Sequence, residues 1–284
     1  HTEVRRQRQM CIRDRYGIEE GLIDWNFSIF DEGFFTLPED GRIYRDWKEG
    51  GHGDTNLFKA ITQSSNTYFF DLAYRSDINQ LNKHLSSLGF GDKACIDCFE
   101  EDQVFVPEPS WKMNKHNFGW FKGDTVNMGV GQGYLVSTPI QLAKYAYIIA
   151  NKGKFFDLSL KKDLVKSEKS IEFNKFSNDD WFKLHESMVN VIEGNTGTAR
   201  RLRERKNYIV AAKTGTAELV SGDNREQYSE TRLDDSLRDH ALIIAFGPMP
   251  NPRYAVSVVV ENGESGGSVA GPVAISVLNS LIQE

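Results

Sequence analysis

From Tyr16 onward the period of the apolar positions changes once. Up to about Glu193 it is mostly helical, and after that it is close to two. The clearest helix is "STPIQLAKYAYIIANKG": Ser137 or Thr138 can cap it, Pro139 suits its first turn, and Gly153 closes it. "TNLFKAITQSSNTYFFDLAYRS" predicts helix on both sides of a polar knot at Ser64, Ser65 and Asn66. "DINQLNKHLSSLGFG" sets Asp77 and Gln80 at capping-box spacing before a glycine stop. "DDWFKLHESMVNVIEG" predicts a further helix. "YIVAAKTGTAEL", "HALIIAFGPM" and "RYAVSVVVENG" then read as short strands, and "VAGPVAISVLNSLIQE" as a closing helix. Residues 31–56, rich in Gly, Asp and aromatics, predict an ordered loop region, and the lysine-rich residues 154–178 an exposed connection. Helices first, neighbouring strands next and a final helix describe an α+β domain, an antiparallel sheet flanked by helices.

Composition adds exclusions. With 39% apolar and 26% charged residues the chain is ordinary globular material rather than a disordered segment. A net charge of −6 argues against a nucleic-acid partner. No apolar run approaches the length of a membrane span. Residues 1–15, "HTEVRRQRQMCIRDR", do not match the rest of the chain: five arginines stand against two acids, leaving −9 for residues 16–284. They lack apolar periodicity, and "QMCIRDR" resembles translated sequencing-adaptor sequence. The segment is therefore expected to be foreign, with the domain occupying 16–284. Cys95 and Cys98 in "KACIDCF" have no second C-x-x-C and no thioredoxin-like context, so they carry no functional assignment.

Candidate chemistry lies in two motifs. In "AAKTGTAEL", Lys213 offers a cation, Gly215 lets a ligand backbone approach the strand, and Thr214 and Thr216 add hydroxyls. The Thr216 amide could face a developing oxyanion. Alone, K-T-G means little, and a charged strand end is the simpler explanation. In the Ser64-Ser65-Asn66 knot, Ser64 offers a hydroxyl for proton relay and Asn66 an amide that orients substrate and catalytic groups. Acyl-serine enzymes combine such a motif with K-T-G and with an S-x-x-K. Here two of the three occur in the right order, the first in a helical region and the second on a strand.

Around these motifs, "GLIDWNFSIFDEGFF", "YRDWKEGGHG", "AITQSSNTYFFDLAY", "GDTVNMGVGQGYLVSTPIQLA", "LRDHALIIAFGP" and "VSVVVENG" resemble the class B penicillin-binding proteins of the penicillin-binding protein 2 type. The likeness runs from Tyr16 to the C-terminus and is weakest over 154–178. It implies a serine transpeptidase/β-lactamase-like fold and a D,D-transpeptidase that cross-links peptidoglycan stem peptides during cell elongation. An activated serine attacks D-Ala-D-Ala, and the acyl group passes to an amine of a neighbouring strand. Ser64, Asn66 and Lys213 would be catalytic, and Thr214, Gly215 and Thr216 would bind the substrate's terminal carboxylate. The implied partners are stem peptides, β-lactams and the membrane proteins of the elongation complex. The full-length protein would face the periplasm from the inner membrane, although this chain holds no membrane segment.

The departure from the pattern concerns the nucleophile. An S-x-x-K should precede Tyr16, yet residues 1–15 hold neither serine nor lysine, so the first catalytic helix is expected to be missing and the chain inactive. The S-x-x-K at Ser159–Lys162 comes after the second motif and is read as chance. Two alternatives stay open: a D-Ala-D-Ala carboxypeptidase or β-lactamase-like hydrolase, and a non-catalytic penicillin-binding scaffold.

Asp31, Asp46 and His52 form a second constellation, of a kind that suits zinc. Relatives with such a site have cysteine at the middle of the second motif, where Ser65 stands here, so no cofactor is required and zinc is at most a three-ligand guest. Three weaker signals are set aside. "GVGQGY" lacks the strand and spacing of a nucleotide loop. The aromatics of "NTYFFDLAY" fit a core, and Arg238-Asp239-His240 a charged turn entering a strand.

Overall fold

The computed structural model describes residues 11–162, 167–217 and 238–283, and among them the side chains from residue 14 onward. The arginine-rich stretch before residue 11 and the Glu218-Leu219 end of the strand pattern lie outside the described residues.

Three antiparallel strands, β7 (Ala211–Ala217), β8 (His240–Gly247) and β9 (Tyr254–Val260), form the scaffold in the order β7-β8-β9, with Lys213 opposite Ile244 and Ile243 opposite Val258. Alternation separates two cores. Leu242, Ile244 and Phe246 pack with Ala211 and Ala217 into the larger one, among α2 (Leu57–Gln63), α3 (Asn66–Arg75) and α7 (Pro139–Ala150). Ala241, Ile243 and Ala245 join Ala212 on the other face, against the end of α8 (Asn178–Glu193) and the closing helix α9 (Gly271–Gln283). Each buried Leu or Ile contributes about 1.5–3 kcal/mol, and the alanines let helices approach the sheet closely. The same alternation turns Lys213 toward the face on which α2 lies.

The helices obey their sequence signals. Thr138 Oγ1 accepts from the Gln141 amide while Gln141 Oε1 accepts from the Thr138 amide, closing a capping box ahead of Pro139. Ser177 and Asp180 close another on α8, and Asp77 caps α4 (Ile78–Ser87). Two helices without clear periodicity escape the sequence reading: α5 (Pro109–His116) and α6 (Lys122–Gly129).

The expected loop at 31–56 is instead two short hairpins. β1 (Ser28–Asp31) pairs with β4 (Gly53–Asn56), and β2 (Phe34–Thr36) with β3 (Ile43–Arg45). Strands of three or four mixed residues carry too little alternation to be recognised. The connection at 154–178 is also more ordered than expected, with β5 (Lys154–Phe155) paired to β6 (Lys169–Ser170). Phe173 and Phe176 pack edge-on against Trp181. The Glu19 carboxylate accepts the amides of Asn174, Lys175 and Phe176. Glu19 ends α1 (Cys11–Glu19), within which the expected boundary at residues 15/16 falls. Asp14, Arg15 and Tyr16 are buried, and the Arg15 guanidinium lies 4.4 Å from the Phe173 ring centre and 5.1 Å from that of Trp181. Among the described residues no helix is long and apolar enough to cross a membrane.

Candidate active site

The polar knot is a helix end and a helix start fused together. Ser64 closes α2 in the left-handed conformation, φ 59° and ψ 43°, which is costly for a residue with a Cβ. That turn allows Ser65 to cap α3, its hydroxyl accepting the Tyr68 amide at 3.2 Å. Asn66 opens α3 fully buried, and its side-chain amide makes no hydrogen bond among the described residues. Buried amides are rarely left so, and this one is available to a group the described residues do not supply.

β7 delivers the second motif to the first. Lys213 Nζ donates to Ser64 Oγ at 2.7 Å and to the Thr214 carbonyl at 3.1 Å, joining motifs 149 residues apart. Lys213 is only 4% exposed, so this hydrogen bond forms away from bulk water, where a charged donor counts for more. Lys213 donates to a lone pair of Ser64, so this contact does not consume the serine's own hydrogen. That suits a hydroxyl that passes a proton. The Thr214 hydroxyl shares a 2.7 Å hydrogen bond with that of Thr198. Thr216 is half-exposed, and its carbonyl is approached by Gln132 Nε2 at 3.5 Å. Behind the strand sits a glycine pair: a Cβ on Gly266 would lie 2.2 Å from the Leu242 carbonyl oxygen and 2.7 Å from that of Gly215. Only a bare backbone fits there, so the K-T-G segment is braced from the rear.

A second cluster holds the knot from its other side. His52 Nδ1 and Ser65 Oγ each lie 2.7 Å from Asp31 Oδ2, and the Gly33 amide donates to Asp31 Oδ1 at 2.8 Å. Asp46 Oδ2 accepts the Thr67 amide at 2.9 Å and its hydroxyl at 3.2 Å, and stands 3.9 Å from His52 Nδ1. Burial alone would raise the Asp31 pKa. The hydrogen bonds from His52, Ser65 and the Gly33 amide outweigh it and hold the carboxyl well below the usual carboxylate range. Trp47 completes the clamp, with its indole N–H donated to the Ser64 carbonyl at 3.0 Å and its ring edge-on to His52 at 5.5 Å.

All nine residues singled out in the sequence fall in these two adjoining clusters. Thr198, Gln132, Trp47 and Gly266 were not anticipated. Thr198 and Gln132 carry no local signal, whereas the glycine pair in "ESGGSV" was the available clue to a close backbone approach. Ser159 lies in no helix, its hydroxyl donated to Asp97 Oδ2 at 2.7 Å. His240 opens β8 and accepts the Asn262 amide at 2.9 Å, as a charged turn entering a strand would. Cys95 and Cys98 form a disulfide.

Comparison with known proteins adds the family. The model described as "Penicillin binding protein transpeptidase domain" matches residues 15–279. Proteins called Peptidoglycan D,D-transpeptidase MrdA are similar. The one from Haemophilus influenzae is 36% identical over 273 residues, covering 93% of this chain and 42% of its own length. That of Acinetobacter baumannii is 38% identical over 263 residues, covering 89% and 38%. The chain thus spans about two-fifths of these curated relatives. Among solved structures, PBP2 of Pseudomonas aeruginosa in complex with WCK 5153 superposes with a TM-score of 0.84 at 33% identity, covering 96% of this chain and 59% of that one. PBP2 of Helicobacter pylori in complex with MreC gives 0.83 at 30% identity, covering 96% and 49%. With a matching family model over nearly its whole length and the motif pair joined in one site, the chain belongs to the penicillin-binding protein transpeptidase family.

Proposed function

We propose that this chain belongs to a peptidoglycan D,D-transpeptidase that cross-links stem peptides during cell elongation. The hydrogen bond between Lys213 and Ser64 carries the reading, because it unites two of the three acyl-serine motifs in a buried, charge-assisted contact. In the reaction a serine hydroxyl attacks the carbonyl of the penultimate D-alanine, and its proton passes toward the departing amine. The ester so formed is then attacked by an amine of a second strand. Ser64 and Asn66 serve proton transfer and orientation. Lys213, Thr214 and Thr216 hold the terminal carboxylate, with Gly215 allowing close approach and the Thr216 amide facing the oxyanion. The attacking serine and its lysine belong to an S-x-x-K that this chain does not hold upstream of Ser64. The unpartnered Asn66 amide supports a polar partner from outside the described residues.

The family's setting is part of the proposal: a periplasm-facing enzyme of the inner membrane that needs no cofactor, binds β-lactams and works with elongation-complex membrane proteins. The PBP2 of Helicobacter pylori solved with MreC supports a protein partner, and that of Pseudomonas aeruginosa solved with WCK 5153 supports a site that takes a small ligand. Residues 1–15 are read as foreign to the domain, and a long read of the source DNA across codons 1–20 tests that. Finding an S-x-x-K there restores a working enzyme, whereas the arginine-rich sequence favours a non-catalytic penicillin-binding module.

Incubation with a fluorescent penicillin tests the site itself. The expected result is saturable, non-covalent binding that Lys213→Ala weakens about 10- to 100-fold, the worth of one charged hydrogen bond, with no covalent mass increase. An adduct on Ser64 or Ser159 would overturn the assignment of roles. Once an S-x-x-K segment is restored, stable acylation marks a transpeptidase and turnover of penicillin marks the hydrolase alternative.

Zinc is a second reading of the Asp31 cluster, favoured by the convergence of Asp31, Asp46 and His52 within 4.8 Å. The fit is incomplete, because the fourth side chain, Ser65, donates its hydroxyl to Asp31 rather than offering a thiolate. A bound ion would be structural, held by the three residues and solvent. Purified protein with neither bound zinc nor a zinc-dependent rise in Tm would leave the cluster as a hydrogen-bonded clamp.

A further inference from the structure

The segment 109–122, "PSWKMNKHNFGWFK", is unlike the rest of the molecule. It holds three lysines and no acid in a chain of net charge −6, and five of its residues are aromatic or histidine. The fold gathers these side chains into a surface ledge. Trp111 is the hub, its ring centre 4.8 Å from Phe105, 5.5 Å from His116 and 5.2 Å from Tyr134. His116 stacks on Tyr134 at 5.4 Å, and the Lys115 ammonium lies 5.1 Å from the Trp111 ring centre. Most of this is open to solvent: Lys115 and His116 are exposed, Phe105 is 40% and Phe121 61% exposed, and Trp111 and Tyr134 are half-buried. An apolar patch of this kind on a surface marks a contact site.

Its position says what it contacts. Tyr134 lies two residues after Gln132, whose amide reaches the Thr216 carbonyl at the rim of the K-T-G strand. The ledge therefore begins where a substrate held by Lys213 and Thr216 would leave the site. In the other direction Phe121 and Trp120 line a cleft of about 330 Å³ shared with Arg75 and Lys122. A surface of aromatic faces edged by cationic donors suits a polymer with apolar ring faces and many oxygen acceptors. An exposed strip of this length beside a peptide-binding strand also suits an extended ligand better than a compact one.

We propose that the Trp111–Tyr134 ledge is a saccharide subsite. It would seat the pyranose rings of the glycan strand to which the stem peptide is attached, with the Lys115 ammonium donating to hydroxyl and acetamido oxygens of that strand. The inference rests on the transpeptidase reading and specifies which part of the substrate lies outside the K-T-G site.

Isothermal titration calorimetry on the full chain tests it with two probes. One is a stem pentapeptide ending in D-Ala-D-Ala, and the other is the same pentapeptide carried on its N-acetylglucosamine–N-acetylmuramic acid disaccharide. The disaccharide is expected to raise affinity about tenfold. Trp111→Ala and Lys115→Glu should each remove most of that gain while leaving affinity for the bare pentapeptide unchanged. Lys115 is exposed, so its variant keeps the test decisive if Trp111→Ala fails to fold. Equal affinity of the wild-type chain for the two probes, or a gain that survives Lys115→Glu, would overturn the subsite and leave the transpeptidase reading standing. Binding of neither probe would overturn that reading, and the ledge with it.

Discussion

The two sides of the Ser64 knot are held by different physics. On the Lys213 side the support is the β7–β8–β9 sheet, whose two faces bury alternating Ala, Leu and Ile against helices. On the Asp31 side it is a cluster of directional hydrogen bonds on short hairpins, with one carboxylate taking three donors. A packed sheet spreads its stabilisation over many contacts and is indifferent to pH. A cluster centred on one buried anion concentrates it, and ties it to that anion's charge. The site stands where the two meet, so perturbing either side should move Ser64, but with different signatures.

The largest expected effect lies in the sheet. Ile243→Ala removes a fully buried side chain between β8 and α9 and should cost about 3–4 kcal/mol in urea unfolding, evenly across pH. A pH-dependent loss would place the cluster's kind of physics in the sheet and erase the contrast.

Asp31→Asn should cost about 2 kcal/mol, since its single carboxamide oxygen can serve either the Gly33 amide or the His52 and Ser65 pair, and its NH2 group then faces the other donor. Its diagnostic is the acid limb. Asp31 has a folded pKa below its ordinary value of 3.8, so its contribution is present above that value and is lost as pH falls through the folded pKa. Wild type should therefore lose stability below about pH 4 more steeply than Asp31→Asn, as measured by Tm against pH. Parallel curves would remove Asp31 as the centre of the cluster.

Ser65→Cys is the smallest change and the sharpest. It weakens the α3 cap by about 1 kcal/mol, because a thiol accepts the Tyr68 amide poorly. It also supplies the thiolate that the Asp31, Asp46 and His52 set lacks. The expected outcome is a lower Tm without metal and a larger zinc-dependent rise than in wild type. If zinc leaves the variant's Tm unchanged, the cluster lacks metal geometry altogether.

Legibility tracked the distance over which each feature is encoded. The α7 and α8 helices carry their stop and start signals within a few residues, and the structure places both close to the sequence limits. Ser64, Asn66 and Lys213 were singled out because each sits in a short motif whose chemistry is known, although nothing local says that Lys213 meets Ser64. Trp47 was missed because its partner, the Ser64 carbonyl, is a backbone atom 17 residues away. Helix α5 was missed because Lys112 is its one buried residue, so no apolar stripe marks it.

By itself the sequence determined the α+β order of elements, the identity of the chemical groups and the absence of an S-x-x-K ahead of Ser64. These depend on composition, period and spacing, which are properties of neighbours along the chain. Tertiary structure alone decided that Lys213 donates to Ser64, that Asn66 is left buried with its amide unbonded among the described residues, and that Asp31 anchors the knot from behind. It alone also assembled the aromatic ledge, drawing together residues from 105 to 134. Hydrogen bonds and ring contacts act over a few ångströms in space, and only the packed sheet and hairpins bring such distant residues that close.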